Sequence, residues 1–232
     1  MKKKGYQGIL RILFGFSLIL FFSSCGLPVY YIIYPPVNAG TPSENAETRY
    51  FSFKTADQVN KTTDIYRGID VYYKIYNSEK DRDSDIQQIQ AANSEFSQSG
   101  FTKLKSLEYE KLVSKPSLHD STDILFNKNN NDINIKIRLF DEGNDYKAGF
   151  EINDIVSSGS KPIRSNGKNF QFDDENLPIQ GDTDYKHKSE EESDYFWVTA
   201  YAVSVGRDGF FQPYYSSLLP LGSIKIPKDT IN

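Results

Sequence analysis

Hydrophobic and polar residues alternate with a period of two in several separate stretches of this chain. The clearest covers residues 69–77. Ile69, Val71, Tyr73 and Ile75 fall on one side, Asp70, Tyr72, Lys74 and Tyr76 on the other, and Gly68 and Asn77 bound the run. That is the signature of a half-buried strand. Residues 195–205 alternate as strictly. Tyr195, Trp197, Thr199, Tyr201, Val203 and Val205 share one face, and Phe196, Val198, Ala200, Ala202 and Ser204 share the other. Bulk on one face and mostly small residues opposite predict a central strand with a close partner on the small side. Residues 206–209 turn the chain, Phe210 and its successors return along it, and 223–226 form an edge strand ended by Pro227.

Two further runs read as strands. Residues 49–55 (RYFSFKT) carry Phe51 and Phe53 on one face, and 133–139 set Ile133, Ile135, Ile137 and Leu139 against Asn134, Lys136 and Arg138. The polar clusters 127–132 and 141–145 are turns, so 132–156 reads as a hairpin. One stretch follows the helical period instead. Ser84 and Gln87 pair as a capping box, Ile86, Ile89, Asn93 and Phe96 share a face, and Gly100 suits the position just past the end. So thin an apolar stripe predicts a helix on the outside of a sheet. Residues 101–113 fit neither period well and lean towards a strand over 106–113. Residues 157–193 read as a polar loop insertion with a short strand at 169–172. Together these elements predict a mainly-β fold, an antiparallel β-sandwich with one peripheral amphipathic helix and long loop insertions.

Two stretches carry a resemblance to the fibronectin type III family. RGIDVYYKIY resembles its third strand, and YAVSVGRDGFFQP, with Tyr201-x-Val203-x-Val205, resembles its penultimate strand and following hairpin. The resemblance spans about a quarter of the chain and implies a sandwich of that kind or a similar one. Where that family has a Trp on its second strand, this chain has Phe51 or Phe53.

The first 25 residues follow a different logic. Lys2, Lys3 and Lys4 make a basic start, and residues 12–22 are apolar apart from Gly15 and Ser17. Ser23 and Ser24 then stand directly before Cys25, the chain's one cysteine. An apolar run of about 11 residues is too short for a hydrocarbon core, which needs ~20. A retained span over 8–33 would have to carry Arg11, Ser23, Ser24 and Pro28. Secretion with a free Cys25 thiol would leave a reactive liability. The pattern resembles the signal peptides of bacterial lipoproteins, in the looser form of spirochaete lipoproteins, with Phe22 in place of the common Leu. That resemblance implies cleavage after residue 24 and lipidation of Cys25 by palmitate-type acyl chains. Two or more such chains anchor a protein stably, at ~0.8 kcal/mol per buried methylene. The chain then divides into a signal peptide (1–24), a lipidated cysteine and extended tether (25–48) and one β-sandwich domain (49–232). Residues 29–34 are too apolar to stay solvated; they pack as a first strand or rest at the lipid surface.

Composition adds limits. Sixteen Tyr and sixteen Phe against one Trp and one Met favour sheet over helix. The formal charge of -4 becomes -8 once 1–24 are removed, and no basic cluster offers a nucleic-acid surface. Almost all of that negative charge falls in 173–194, on Asp173, Asp174, Glu175, Asp182, Asp184, Glu190, Glu191, Glu192 and Asp194. This stretch reads as a divalent-cation site, a patch for a basic partner, or a solvated loop; the metal reading stays open. His119 and His187 are the only histidines and stand in no ligand or triad spacing. No phosphate loop, nucleophile elbow or cofactor motif occurs, so no catalytic or cofactor-binding residue can be named. Tyr72, Tyr76, Phe210, Phe211, Tyr214 and Tyr215 form a recognition patch, a second buried face of the sandwich, or a face covered by the helix. Three functions follow: an envelope lipoprotein with a binding domain for an envelope or extracellular partner, an envelope hydrolase or carbohydrate-active enzyme with its site in 157–193, and a structural spacer.

Overall fold

The computed structural model describes residues 31–42, 49–115, 118, 124–139, 148–157, 159–170, 172, 176–189 and 193–228. Its strands are β1 (Tyr50–Lys54), β2 (Tyr66–Tyr76), β3 (Glu110–Lys111), β4 (Val113–Lys115), β5 (Phe126–Asn127), β6 (Asn134–Arg138), β7 (Gly149–Ile152), β8 (Ile155–Val156), β9 (Lys161–Ile163), β10 (Tyr185–Lys186), β11 (Tyr195–Arg207), β12 (Pro213–Tyr215) and β13 (Leu219–Pro227). Three helices accompany them: α1 (Asp57–Asn60), α2 (Glu79–Ala92) and α3 (Ser99–Ser106). Among the described residues, no helix is long and apolar enough to cross a membrane.

The two most strictly alternating stretches become neighbours. β2 and β11 pair antiparallel from Trp197 opposite Tyr76 to Gly206 opposite Tyr66. β13 and β12 extend the sheet on the far side of β11, and β10, β3 and β5 flank β2. β10 pairs with β2 in parallel. A second sheet, in the order β1-β6-β7-β8, is antiparallel throughout. At the β7–β8 turn Asn153 and Asp154 both take positive φ, 50° and 63°, as tight two-residue hairpins require.

The two sheets close on one apolar core. Ile69, Val71, Tyr73 and Ile75 of β2 and Phe196, Val198, Ala200 and Ala202 of β11 meet Phe51, Phe53, Ile135, Ile137 and Phe150 of the smaller sheet. Each such burial is worth about 1.5–3 kcal/mol, and Ala200 and Ala202 let the opposing phenylalanines approach closely. The result is a mainly-β, sandwich-like fold. The outer face of the large sheet is buried as well. Tyr72, Tyr76, Trp197, Tyr201, Val203 and Val205 form a second cluster with Ile89 of α2 and Leu104 of α3. The strand read as half-buried is therefore covered on both sides, and even Asp70 and Lys74 are buried.

The helical region differs most from expectation. The helix begins at Glu79, because Ser78 and not Ser84 caps it, its hydroxyl accepting from the Asp81 N–H at 3.2 Å. It ends at Ala92, and Phe96 lies outside it at a positive φ of 57°. A second helix, α3, precedes the strand expected over 106–113 and takes up the stretch from Ser99 to Ser106. Only two short strands, β3 and β4, follow it. Gly100 sits inside α3 and not past the end of α2, and a Cβ there would overlap Asn93 Oδ1. The glycine lets the two helices touch.

The tether also shortens. Residues 31–42 run along the domain without forming a regular strand. Ile33 is buried with Ile65 and Tyr66, Val37 bridges Lys54, and the Gly40 N–H donates to the Ser52 carbonyl. Ile33 packs over Gly206, where a Cβ would collide with its Cδ1. The expected extended connection over 25–48 thus gives way, by Tyr31, to chain belonging to the folded unit.

Candidate functional site

Alternation on β2 sends Tyr72, Lys74 and Tyr76 to the helical side of the large sheet. α2 lays Asp85 and Ile89, one turn apart, against that side. β10 brings in the third component. Its parallel register sets Lys186 opposite Tyr76 and Tyr185 opposite Ile75. The Lys186 amine lies 3.0 and 3.2 Å from the two Asp85 oxygens. The Tyr76 hydroxyl donates to Asp85 Oδ2 at 3.0 Å and lies 2.9 Å from the Tyr109 hydroxyl. Lys74 donates to the Leu107 carbonyl at 2.5 Å, beyond the last turn of α3, where helix carbonyls lack internal partners. Glu108 Oε2 lies 3.9 Å from the same amine, on a residue with φ of 59°.

Lys74, Asp85, Leu107, Glu108 and Lys186 border an open cleft of about 320 Å³, completed by Ser106, Thr183 and Tyr185. Burial pushes the Lys74 amine below its ordinary value; Asp85 opposes that shift and Lys186 adds to it. Burial, followed by Tyr109 and Asp85, holds the Tyr76 proton far above the ordinary tyrosine range. Burial raises Tyr109 and Tyr201 as well, and lifts Tyr185 to about 12. The cleft thus holds a desolvated lysine and a carboxylate set between a cation and the phenol of the buried Tyr76.

The insertion at 157–193 is not simply a solvated loop. Arg164, following β9, is fully buried; its Nε and Nη2 donate to the two oxygens of Asp184 at 2.8 and 2.6 Å. Nη2 also reaches Asp182 at 2.7 Å and Nη1 the Asn176 carbonyl at 2.9 Å. The Tyr73 hydroxyl donates to Asp184 at 2.6 Å, tying the insertion to β2. Burial opposes ionisation of Asp182, but the Ile179 N–H, Lys168 and Arg164 together hold its carboxyl below the usual range. Phe170 and Phe172 enter the sandwich core.

Several expected positions, namely Cys25, His119, the turn at 141–145, Asp173, Asp174, Glu175, Glu190, Glu191 and Glu192, lie outside the described residues. His187 is exposed, its Nδ1 3.3 Å from both the Asn77 amide and the Tyr185 hydroxyl. Among the described residues no group of three or more His, Cys, Asp or Glu is placed to hold a metal ion. The aromatic patch divides. Tyr72 and Tyr76 are buried under the helices and Tyr215 stacks on Phe101 at 3.6 Å, while Phe210 and Phe211 are 86% and 80% exposed. The cleft residues Lys74, Asp85 and Lys186 escaped the sequence reading, since they come together from three distant elements. The one available signal was a lysine, Lys74, among the large apolar and aromatic residues of β2. No protein-family model, curated sequence or solved structure matches the chain.

Proposed function

We propose that this chain is a lipid-anchored lipoprotein of the bacterial cell envelope, at the outer membrane or cell surface, whose sandwich is a non-enzymatic binding domain. One observation carries the anchoring: a basic start, a short apolar run and two small residues lead directly to the only cysteine. The early start of the folded body supports it, since Tyr31 follows Cys25 by only six positions. A domain displayed close to a bilayer needs no longer connection. Binding, as opposed to catalysis, is supported by how the cleft spends its charges. Asp85 is committed to Lys186 and Tyr76, and Lys74 to a backbone carbonyl. The rim groups Ser106, Glu108, Thr183 and Tyr185 are the ones set to receive a small polar ligand or a partner's side chains.

The test is the mass of the mature N-terminus of protein purified from membranes. A chain beginning at Cys25 with a diacylglyceryl thioether and a further acyl chain is expected. A chain beginning at Met1, or a bare thiol, overturns the proposal. A hydrolase of envelope material is the second reading. Its specific support is that Thr183, Tyr185 and Lys186, from the 157–193 insertion, help form the only carboxylate-bearing cleft that also holds a desolvated lysine among the clefts described. Turnover of envelope glycans that disappears in Asp85→Asn while folding is retained would favour it.

A further inference from the structure

The end of the sandwich where the N-terminal segment enters is the one that carries the exposed aromatics. Tyr31 packs edge-on against Tyr214 at 5.2 Å, and Tyr34 against Phe96 at 5.7 Å. Ile32 is 48% exposed between them, and Phe96 is 53% exposed. Beyond Tyr214, at the tip between β11 and β12, stand Phe210 and Phe211. Phe96 and Phe211 hold positive φ values of 57° and 61°. Bulky residues rarely adopt that conformation, and strain of this kind collects at functional positions. Two strained, exposed phenylalanines at one end of the fold are not needed by its core.

Chain length decides what meets them. If Cys25 is lipidated, Tyr31 lies six residues away, and six extended residues reach at most ~20 Å. β11 pairs with β2 from Gly206, at this end, to Trp197, and the nine residue steps between them span ~30 Å. The opposite end, where the exposed His187 lies beside Asn77 just past Tyr76, is therefore held further from the lipid than the aromatic end. We propose that the tip Phe210-Phe211, with Tyr31, Ile32, Tyr34 and Phe96 beside it, seats on the lipid surface to which the chain is anchored. Phenylalanine enters the acyl boundary and the tyrosines remain at the headgroups. The domain then stands upright, with the Lys186 cleft turned outward. This inference rests on the lipidated reading of Cys25.

The test uses the lipidated full-length protein in vesicles of phosphatidylcholine and phosphatidylglycerol with a nitroxide-labelled acyl chain. Phe210→Trp and Phe96→Trp report on the aromatic end and His187→Trp on the opposite end. The native Trp197, buried near Arg82, supplies the background. The expected result is about twofold or greater quenching of Phe210→Trp fluorescence by the label, with the His187→Trp signal unchanged. Three outcomes overturn the inference while leaving lipidation intact: no quenching at Phe210→Trp, equal quenching at both ends, or a tip shielded from aqueous acrylamide but untouched by the lipid label. The last would assign the face to a protein partner. A bare Cys25 thiol in the mass spectrum of the same sample would overturn the anchoring and the inference together.

Discussion

Arg164 and Asp184 face each other through two parallel hydrogen bonds of 2.8 and 2.6 Å, and neither side chain reaches solvent. They lie 20 residues apart in the most polar part of the sequence, yet the pair holds that segment against β2 through Tyr73. Removing one member of a buried pair strands the other, at a cost of about 3–5 kcal/mol. Arg164→Met and Asp184→Asn are each expected to lower stability by that amount in urea unfolding. The double variant is expected to lose less than the sum, with a coupling of about 0.5–3 kcal/mol. Strictly additive losses would show that the two side chains do not depend on each other.

The buried tyrosines make a prediction about alkaline pH. Tyr66, Tyr73, Tyr76, Tyr109 and Tyr201 are all held above their ordinary value, with burial the first cause in each. In the unfolded chain they ionise near pH 10. Above that pH the unfolded state binds fewer protons than the native one, so their stabilising contribution, complete below pH 10, is lost as pH rises. Each group costs about 1.4 kcal/mol per pH unit, so five give a slope of ~7. Lys74, whose value is lowered, acts in the opposite sense below about pH 10.5, but it is one group against five. Absorbance at 295 nm should show the exposed tyrosines titrating first and the buried ones appearing together, at the pH where near-ultraviolet circular dichroism collapses. A single titration class near pH 10 would refute this.

What the sequence revealed and what it hid follow one physical line. Alternation at a period of two needs only local information, so β2, β6 and β11 were legible along with the faces they bury. The pairing of Lys186 with Asp85, 101 residues apart, leaves no local trace. Arg164, Asp182 and Asp184 resemble a solvated charge run until they are seen neutralising one another inside. α3 was missed because SGFTKLKS has few apolar positions; its hold comes from Phe101 stacked on Tyr215 and Leu104 buried under the sheet. Helix propensity yields to such tertiary contacts in either direction. The site was illegible for the same reason, since Lys74, Asp85 and Lys186 arrive from β2, α2 and β10 and Glu108 from the chain after α3.

Gly100 should behave against its propensity. Alanine within a helix is ordinarily favoured over glycine by about 1 kcal/mol. Here a Cβ would overlap Asn93 Oδ1 and come within 3.0 Å of Asn93 Cα. The Asn93 amide donates to the Leu218 carbonyl at 2.9 Å and accepts from the Leu218 N–H at 2.8 Å, locking the helices to the chain before β13. Gly100→Ala is expected to destabilise by about 1–3 kcal/mol, as overpacking does, and to speed hydrogen exchange at the Leu218 amide. In an Asn93→Ala background the same substitution should cost less. A stabilising Gly100→Ala would mean that α2 and α3 separate without penalty.

Gly206 governs whether the N-terminal segment stays attached. A Cβ there would collide with Ile33 Cδ1 and approach the Ile65 carbonyl oxygen to 3.1 Å. The first neighbour is the free end of a flexible side chain and can swing away, whereas the second is backbone and cannot. Gly206→Ala should therefore cost little, about 1 kcal/mol, by displacing Ile33 from its place beside Ile65 and Tyr66. Gly206→Val adds branches that leave no room for Ile33 and should release residues 31–34, although the Tyr34 N–H to Asn60 bond at 2.9 Å resists this. Limited proteolysis reads the difference: cleavage near Tyr31 and Tyr34 should rise about tenfold in Gly206→Val if the lost contact is worth ~1.4 kcal/mol, and rise little in Gly206→Ala. Ile33→Ala should remove most of the contrast, because the side chain that the valine expels is already gone. Equal protection of wild type and Gly206→Val would show that Ile33 does not hold the segment down.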